Sequence, residues 1–245
     1  MAYTTINKST DYFNTKLYTG NGSTQTISGV GHQPDWTWAK VRSEVGSHRL
    51  ADAVRGNTKY LFSNGTDAEA TDSTNITSWN SDGFALGNGS INENTRTYAS
   101  WNWKANGAGS ANTTGSINST VSVNTTSGFS IVKYTGTGAN ATVGHGLGVA
   151  PKMIHVKGIN TNSTNWLTGG SNISSNWASS LHLNTTAGID TYNYWQNYAP
   201  NANVFYMTSD GALNQSGIDY IAYCFSDVQG YSKFGSYIGN ANADG

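Results

Sequence analysis

"YASWNWKANG" (Tyr98–Gly107) and "YIAYCFSDVQG" (Tyr220–Gly230) are the stretches on which the fold turns. Successive side chains in a strand point to opposite faces. In the first stretch Ala99, Trp101 and Trp103 therefore share one face, and Tyr98, Ser100 and Asn102 the other. In the second, Ile221, Tyr223 and Phe225 oppose Ala222 and Cys224. Each reads as the central strand of a sheet with one strongly aromatic inner face.

Working outward, the neighbouring text recurs as well. "YFNTKLYTGNGS" (Tyr12–Ser23) matches "GFSIVKYTGTGA" (Gly128–Ala139), with Phe13 over Phe129 and Tyr18-Thr19-Gly20 over Tyr134-Thr135-Gly136. "PDWTWAK" (Pro34–Lys40) matches "PKMIHVK" (Pro151–Lys157), and Phe84, Asn92 and Tyr98 meet Phe205, Asn214 and Tyr220. Between the matched ends the middles diverge, as loops on a shared scaffold do. The expected fold class is all-β: two tandem β-sandwich units, jelly-roll or lectin-like, arising from an internal duplication. Each unit is expected to close its own core. The boundaries read as unit one over 1–108, a Gly/Ser/Asn-rich linker over 109–116 and unit two over 117–230. Residues 231–245 read as the start of a third repeat or as an exchanged terminal strand, since "YSKFGSYIGN" resembles the opening of unit one.

Composition supports a β-rich chain and excludes several function classes. Charged residues are 11% of 245, against roughly 25% in ordinary soluble domains. Ser, Thr, Asn and Gly make up nearly half of the chain. The 8 Trp and 14 Tyr supply the apolar bulk that the aliphatic residues do not. A net charge of −1 with no basic block argues against nucleic acid and anionic membranes as partners. No apolar run approaches the roughly 20 residues of a membrane span, so no membrane insertion is expected. The opening "MAYTTINKSTDY" lacks the basic start and apolar run of a signal peptide and reads as a chain made in a cytoplasm. Cys224 has no partner for an internal disulfide and reads as a buried structural thiol.

Catalytic and metal chemistry are weakly supported, and no cofactor, catalytic residue or metal ligand is expected. The acids show no pair at equivalent places in the two units, and the cluster Asp67, Glu69, Asp72 lacks the glycine and spacing of a calcium loop. Binding is better represented. The middle of unit two gathers Trp166, Trp177, Tyr194, Trp195, Asn197 and Tyr198 among polar residues. Aromatic faces stack on sugars and Asn side chains bond hydroxyls, so these six are the candidate glycan-binding residues. The alternative is that such rings complete a core or an oligomer contact.

The stretches "YTGNGSTQTISGVGHQPDWTWAKVRS", "SDGFALG" and "YASWNWKANG", with "GFSIVKYTGTGANATVGHGLGVAPKMIHVK" and "YIAYCFSDVQGYSKFGSYIGN", carry a family resemblance. The chain resembles a repeated β-rich domain of unassigned function in virion proteins of marine bacteriophages, those of cyanobacteria and of abundant ocean heterotrophs (pelagiphage-like) among them. The resemblance spans nearly the whole chain. It implies a virion structural protein, tail-fibre-like or adhesin-like, assembled in the host cytoplasm and located on the particle. Its implied partners are other virion proteins and a host surface glycan, in a homo-oligomer for which a trimer is the expectation. A capsid decoration protein and a virion-associated polysaccharide-degrading enzyme are the alternatives. The resemblance supplies no functional residues.

Overall fold

Alternation of apolar and polar residues between Gly, Asn and Asp turns builds eighteen short strands. The computed structural model describes residues 3–240 and 242, and no α-helix occurs among them. The first half holds β1 (Phe13–Thr19), β2 (Gln25–Ser28), β3 (Trp36–Val41), β4 (Arg49–Asp52), β5 (Lys59–Phe62), β6 (Ala70–Thr71), β7 (Ile76–Asn80), β8 (Gly83–Leu86) and β9 (Thr97–Trp103). The second holds β10 (Ser110–Asn112), β11 (Ser119–Asn124), β12 (Phe129–Thr135), β13 (Ala141–Gly144), β14 (Met153–Gly158), β15 (Leu167–Gly170), β16 (Ser180–His182), β17 (Val204–Met207) and β18 (Asp219–Phe225).

Two large antiparallel sheets run in the orders β1-β9-β3-β4-β5-β6 and β10-β11-β12-β18-β14-β15-β16. Two small ones contain β2-β8-β7 and β13-β17. The two long aromatic strands, β9 and β18, each have a neighbour on both sides, as their sequences require. Register places Tyr18 opposite Tyr98 and Tyr134 opposite Tyr220. The rings of each pair stack, at 5.1 and 5.3 Å between centroids.

Local hydrogen bonds explain why particular residues recur in the two halves. The Asn92 side-chain carbonyl accepts the Asn21 N–H at 3.1 Å, and its amide donates to Gly87 O at 2.6 Å. Asn214 accepts the Thr137 N–H at 2.7 Å and donates to Thr208 O at 3.0 Å. The Tyr98 hydroxyl accepts the Glu93 N–H and donates to Ser90 O, while Tyr220 does the same with Gln215 and Gly211. Gly20 and Gly136 sit so close to the loops that lead into β9 and β18 that a Cβ would strike the carbonyl oxygens of Glu93 and Gln215. Each buried Asn thus holds the Tyr-Thr-Gly turn against the strand pair beneath it.

Each large sheet is covered on both faces. On one face the β2-β8-β7 sheet packs Ile27, Ile76, Phe84 and Leu86 against Ala39, Ala51, Tyr60 and Tyr98. The β13-β17 sheet likewise brings Val143, Phe205 and Met207 onto Val132, Ile154, Ala222 and Cys224. The two aromatic faces then meet each other. Trp36 stacks on Tyr223 at 4.2 Å and lies parallel to Phe129 at 5.5 Å, inside a cluster that also holds Leu50, Leu61, Trp166, Ile221 and Phe225. The result is four sheet layers with three cores. Each half does own a core, but the strongest aromatic face of each closes on the other half. β18 is apolar on both sides, and one small sheet covers only one of them.

The expected linker is structured, and among the described residues the expected terminal strand, beyond Ser232, pairs with no strand of its own chain. The stretch 109–116 carries β10, an edge strand on β11, and is followed by bridges from Gly115 and Ile117 to Val143. It is part of the second half, because Asn106, next to buried Ala105, already donates its N–H to Ser122 Oγ. In 231–245, Val228 bridges Ser232 and Phe234 packs on Phe225 at 5.8 Å, but residues 233–240 form no strand. The rest of that stretch, residues 241 and 243–245, lies outside the described residues.

Candidate functional site

The six sequence-predicted glycan residues separate into two groups. Trp166, Trp177 and Trp195 are fully buried, which corrects their assignment to a sugar-stacking surface. Trp177 and Trp195 meet edge to face at 5.1 Å above Gly169, where any Cβ would enter both rings. Trp195 donates its indole N–H to Ser180 Oγ at 2.8 Å. Trp166 donates to Phe62 O at 2.8 Å and so ties the second half to the first. Buried rings with satisfied N–H groups complete cores. The "TGG" of β15 (Thr168–Gly170) carries the signal for this, since bare backbone on a sheet face needs large rings from elsewhere to cover it.

Asn197 and Tyr198 stay at the surface together with Tyr192 of the same aromatic stretch, Tyr194 is half-buried against the core, and the structure adds half-buried Tyr206. Tyr198 is 61% exposed and Tyr192 54%, enough to offer ring faces to a ligand. Tyr192 lies 4.8 Å from Tyr194, and Tyr198 lies 5.5 Å from Tyr206. Asp190 anchors the first pair. It accepts the Tyr194 O–H at 2.8 Å, His182 Nε2 at 3.0 Å and the Tyr192 N–H at 2.8 Å. Partial burial works against its charge, but these hydrogen bonds outweigh it and hold the carboxyl below its usual range. Burial and then the Asp190 contact push the Tyr194 phenol up, so it remains a donor. Gln196 and Asn197 take left-handed backbone at φ 59° and 57°. The Gln196 amide pins this turn to Ala141 O and Met207 O, which aims Tyr198 outward from a fixed base.

A second concavity lies where the two aromatic faces part. It encloses ≈ 350 Å³ and is lined by Phe13, Trp38, Trp103, Met153, His155 and Phe234, with serine hydroxyls among its walls. The size falls at the lower end of small-molecule sites. Its titratable lining groups are His155 and Tyr231, and burial pushes the Tyr231 phenol up to about 12. Burial pushes His155 down to about 4, and its Nδ1 bonds Thr168 Oγ1 at 2.7 Å. Behind the lining, His48 accepts the Trp38 N–H at 2.8 Å and so orients that wall. The cavity therefore suits a neutral, largely apolar group.

Residues 8–245 match the family model described as a domain of unknown function, DUF7483. The chain belongs to the DUF7483 family. No curated protein and no solved structure matches it.

In this DUF7483 chain the densest charges are spent on joining the halves. Asp52 and Arg55, both fully buried, pair at 2.5 Å, and Arg55 reaches Glu69 at 3.2 Å. The Tyr223 hydroxyl, from the other half, donates to Asp52 at 2.7 Å. Lys157 is buried and donates to Thr66 O, Gly158 O and Thr164 Oγ1. Of the acidic cluster noted in the sequence, Glu69 pairs with Arg55 and Lys59, while Asp72 accepts from Thr74 and Asn75. Burial raises the Cys224 thiol to about 12, in keeping with a structural cysteine.

Proposed function

We propose that this chain is a structural module of a bacteriophage virion, part of a tail fibre or similar appendage, built by tandem duplication of one β-unit and displaying a tyrosine surface to host glycans. The observation that carries the reading is the recurrence of one frame with different loops. The order β1-β9-β3-β4-β5 is repeated as β12-β18-β14-β15-β16, and β2-β8 as β13-β17. The Asn92 and Asn214 clamps, the stacked tyrosine pairs and the two space-limited glycines repeat with it. A frame that conserves its framework while its loops vary is a scaffold for presentation and spacing. The resemblance to marine phage virion domains agrees with this, as do a low charge and a Ser/Thr/Asn-rich surface, which stays hydrated where salt screens charge.

The unit frames are sandwich-like, and the lectin-type reading rests on the outward pairs Tyr192/Tyr194 and Tyr198/Tyr206 together with Asn197. Other virion proteins and further copies of the chain, as a trimer, are its assembly partners in this reading. Mass spectrometry of purified particles, with antibody labelling under the electron microscope, tests the location. Absence of the chain from washed particles defeats the virion reading, and labelling of the capsid shell alone favours decoration over fibre. A glycan array with the full chain tests the surface. Binding lost in Tyr198→Ala with an unchanged melting curve supports it, whereas no binding, or binding indifferent to Tyr192 and Tyr198, removes the glycan part.

A further inference from the structure

β1 is an open edge where its counterpart is closed. The Lys104 N–H donates to Tyr12 O at 2.9 Å and the Gly20 N–H to Arg96 O at 2.8 Å, so even-numbered backbone groups of this strand face β9. Odd-numbered groups face outward. The Thr19 carbonyl there accepts the Gln25 amide, but among the described residues the outward groups of Phe13, Thr15 and Leu17 meet no strand. Leu17 is 61% exposed. In the second half the same edge, on β12, is fully taken: Phe129 opposes Asn124, Ile131 opposes Ser122 and Lys133 opposes Thr120 of β11. The fold thus has a place for one more strand beside β1, seven residues long.

The chain also carries a segment that fits such a place. Residues 235–239 make no hydrogen bond, and Tyr237 and Ile238, residue types favoured in strands, are 94% and 97% exposed. Just before it, Tyr231 packs on Tyr12 and Phe234 shares a cavity wall with Phe13, but the segment itself leads away from its own β1 edge. Gly235 and Ser236 line a hollow with Gly170, Leu181 and Ile189, on the β15–β16 side of the second large sheet. β1 lies at the opposite side of the stack, where Trp103 of neighbouring β9 packs over Phe129.

We infer that residues 235–240 of one copy add as a strand to the outer edge of β1 in a second copy, taking the position that β11 holds on β12. The inference rests on the oligomeric part of the reading above and names its contact. The donor segment and the acceptor edge are different surfaces, so the contact is heterologous: it closes into a ring or propagates as a fibre. Unpaired backbone at both places supplies the hydrogen bonds, and the exposed Leu17, Tyr237 and Ile238 supply apolar area to bury.

The test is the mass of the full chain across a concentration series, by sedimentation and light scattering, beside two variants. Thr15→Pro removes an N–H that points outward, so it blocks an added strand while leaving the β1–β9 ladder intact. A chain ending at Ser236 removes the donor and, with it, the local hydrogen bond from the Asn242 N–H to Asn240 Oδ1, which belongs to no sheet. The expected result is a wild-type mass of at least twice the single chain, with both variants at the single-chain mass and melting as the wild type does. Two added controls close the test: Leu17→Pro, should Thr15→Pro fail to fold, and a peptide of residues 235–240, which should compete with assembly. An oligomer that persists in both variants overturns this contact while leaving the oligomeric reading standing. A wild type that stays monomeric at every concentration overturns both.

Discussion

Replacing Trp36 with alanine probes the shared aromatic core most directly. Trp36 is 1% exposed and stacks on Tyr223 at 4.2 Å and Trp103 at 4.3 Å, with Phe129 at 5.5 Å. Removing an indole exposes or empties about 150–250 Å², worth roughly 4–6 kcal/mol at about 25 cal/mol per Å². The Trp36 N–H is buried without a partner, so its removal returns about 1 kcal/mol. A net loss of about 4 kcal/mol follows, inside the roughly 3–5 kcal/mol range for such truncations. At about 2–4 °C per kcal/mol for a chain of this size, the melting temperature should fall by about 8–16 °C. Urea titration gives the free energy, and hydrogen exchange read on peptides covering β9 and β18 gives its distribution. Because Trp36 belongs to the first half and Tyr223 to the second, both peptides should lose protection together. A cost below about 1.5 kcal/mol, or loss confined to the first half, would refute the argument that the aromatic faces hold the halves as one cooperative unit.

Two further outcomes follow from the same coordinates. Asn92→Ala and Asn214→Ala should each cost about 1–3 kcal/mol by denaturant titration, because each leaves part-buried N–H and carbonyl groups unpaired. Costs differing more than about twofold would count against a common frame. Burial pushes the Lys157 ammonium down to about 8, with Asp67 opposing only part of the shift. Between that value and the ordinary 10.5 the unfolded chain holds a proton that the folded chain has released, so stability rises with pH across this window. Stability curves of the wild type and Lys157→Met should therefore diverge by roughly 2–3 kcal/mol from pH 8 to 10.5. Parallel curves would show that Lys157 keeps its ordinary affinity for a proton.

How much of this was legible differs from residue to residue. The faces of β18 are legible, since Ile221, Tyr223 and Phe225 lie together in one core and Ala222 and Cys224 in another, whereas in β9 Trp101 and Trp103 stay half-buried and the opposite face, Tyr98, Ser100 and Asn102, is fully buried. Tyr18 and Tyr134 each face a tyrosine across their strand pair, Tyr98 and Tyr220, and Phe13 and Phe129 each face an aromatic ring, Trp103 and Phe225. The candidate site was half legible. Trp195 and Tyr198 stand three residues apart in the same polar text, yet one is buried and the other 61% exposed. Their fates are set by Gly169, whose missing side chain admits the Trp195 ring, and by the Gln196–Asn197 turn, which sends Tyr198 the other way. The cavity beside Trp38 and His155 had no signal in the text, because its walls come from both halves and from Phe234.

Local sequence was enough to settle which side chains share a face, where strands turn, and that the molecule is near-neutral and rich in aromatic rings. Alternation is a property of the extended backbone, felt from one residue to the next, and needs no distant partner. Folding in three dimensions settled that the two aromatic faces close on each other, that three tryptophans leave the surface, and that the outer edge of β1 lacks the strand that β11 supplies to β12. Those outcomes depend on which apolar areas find one another across more than a hundred residues of chain, and no local pattern carries that choice.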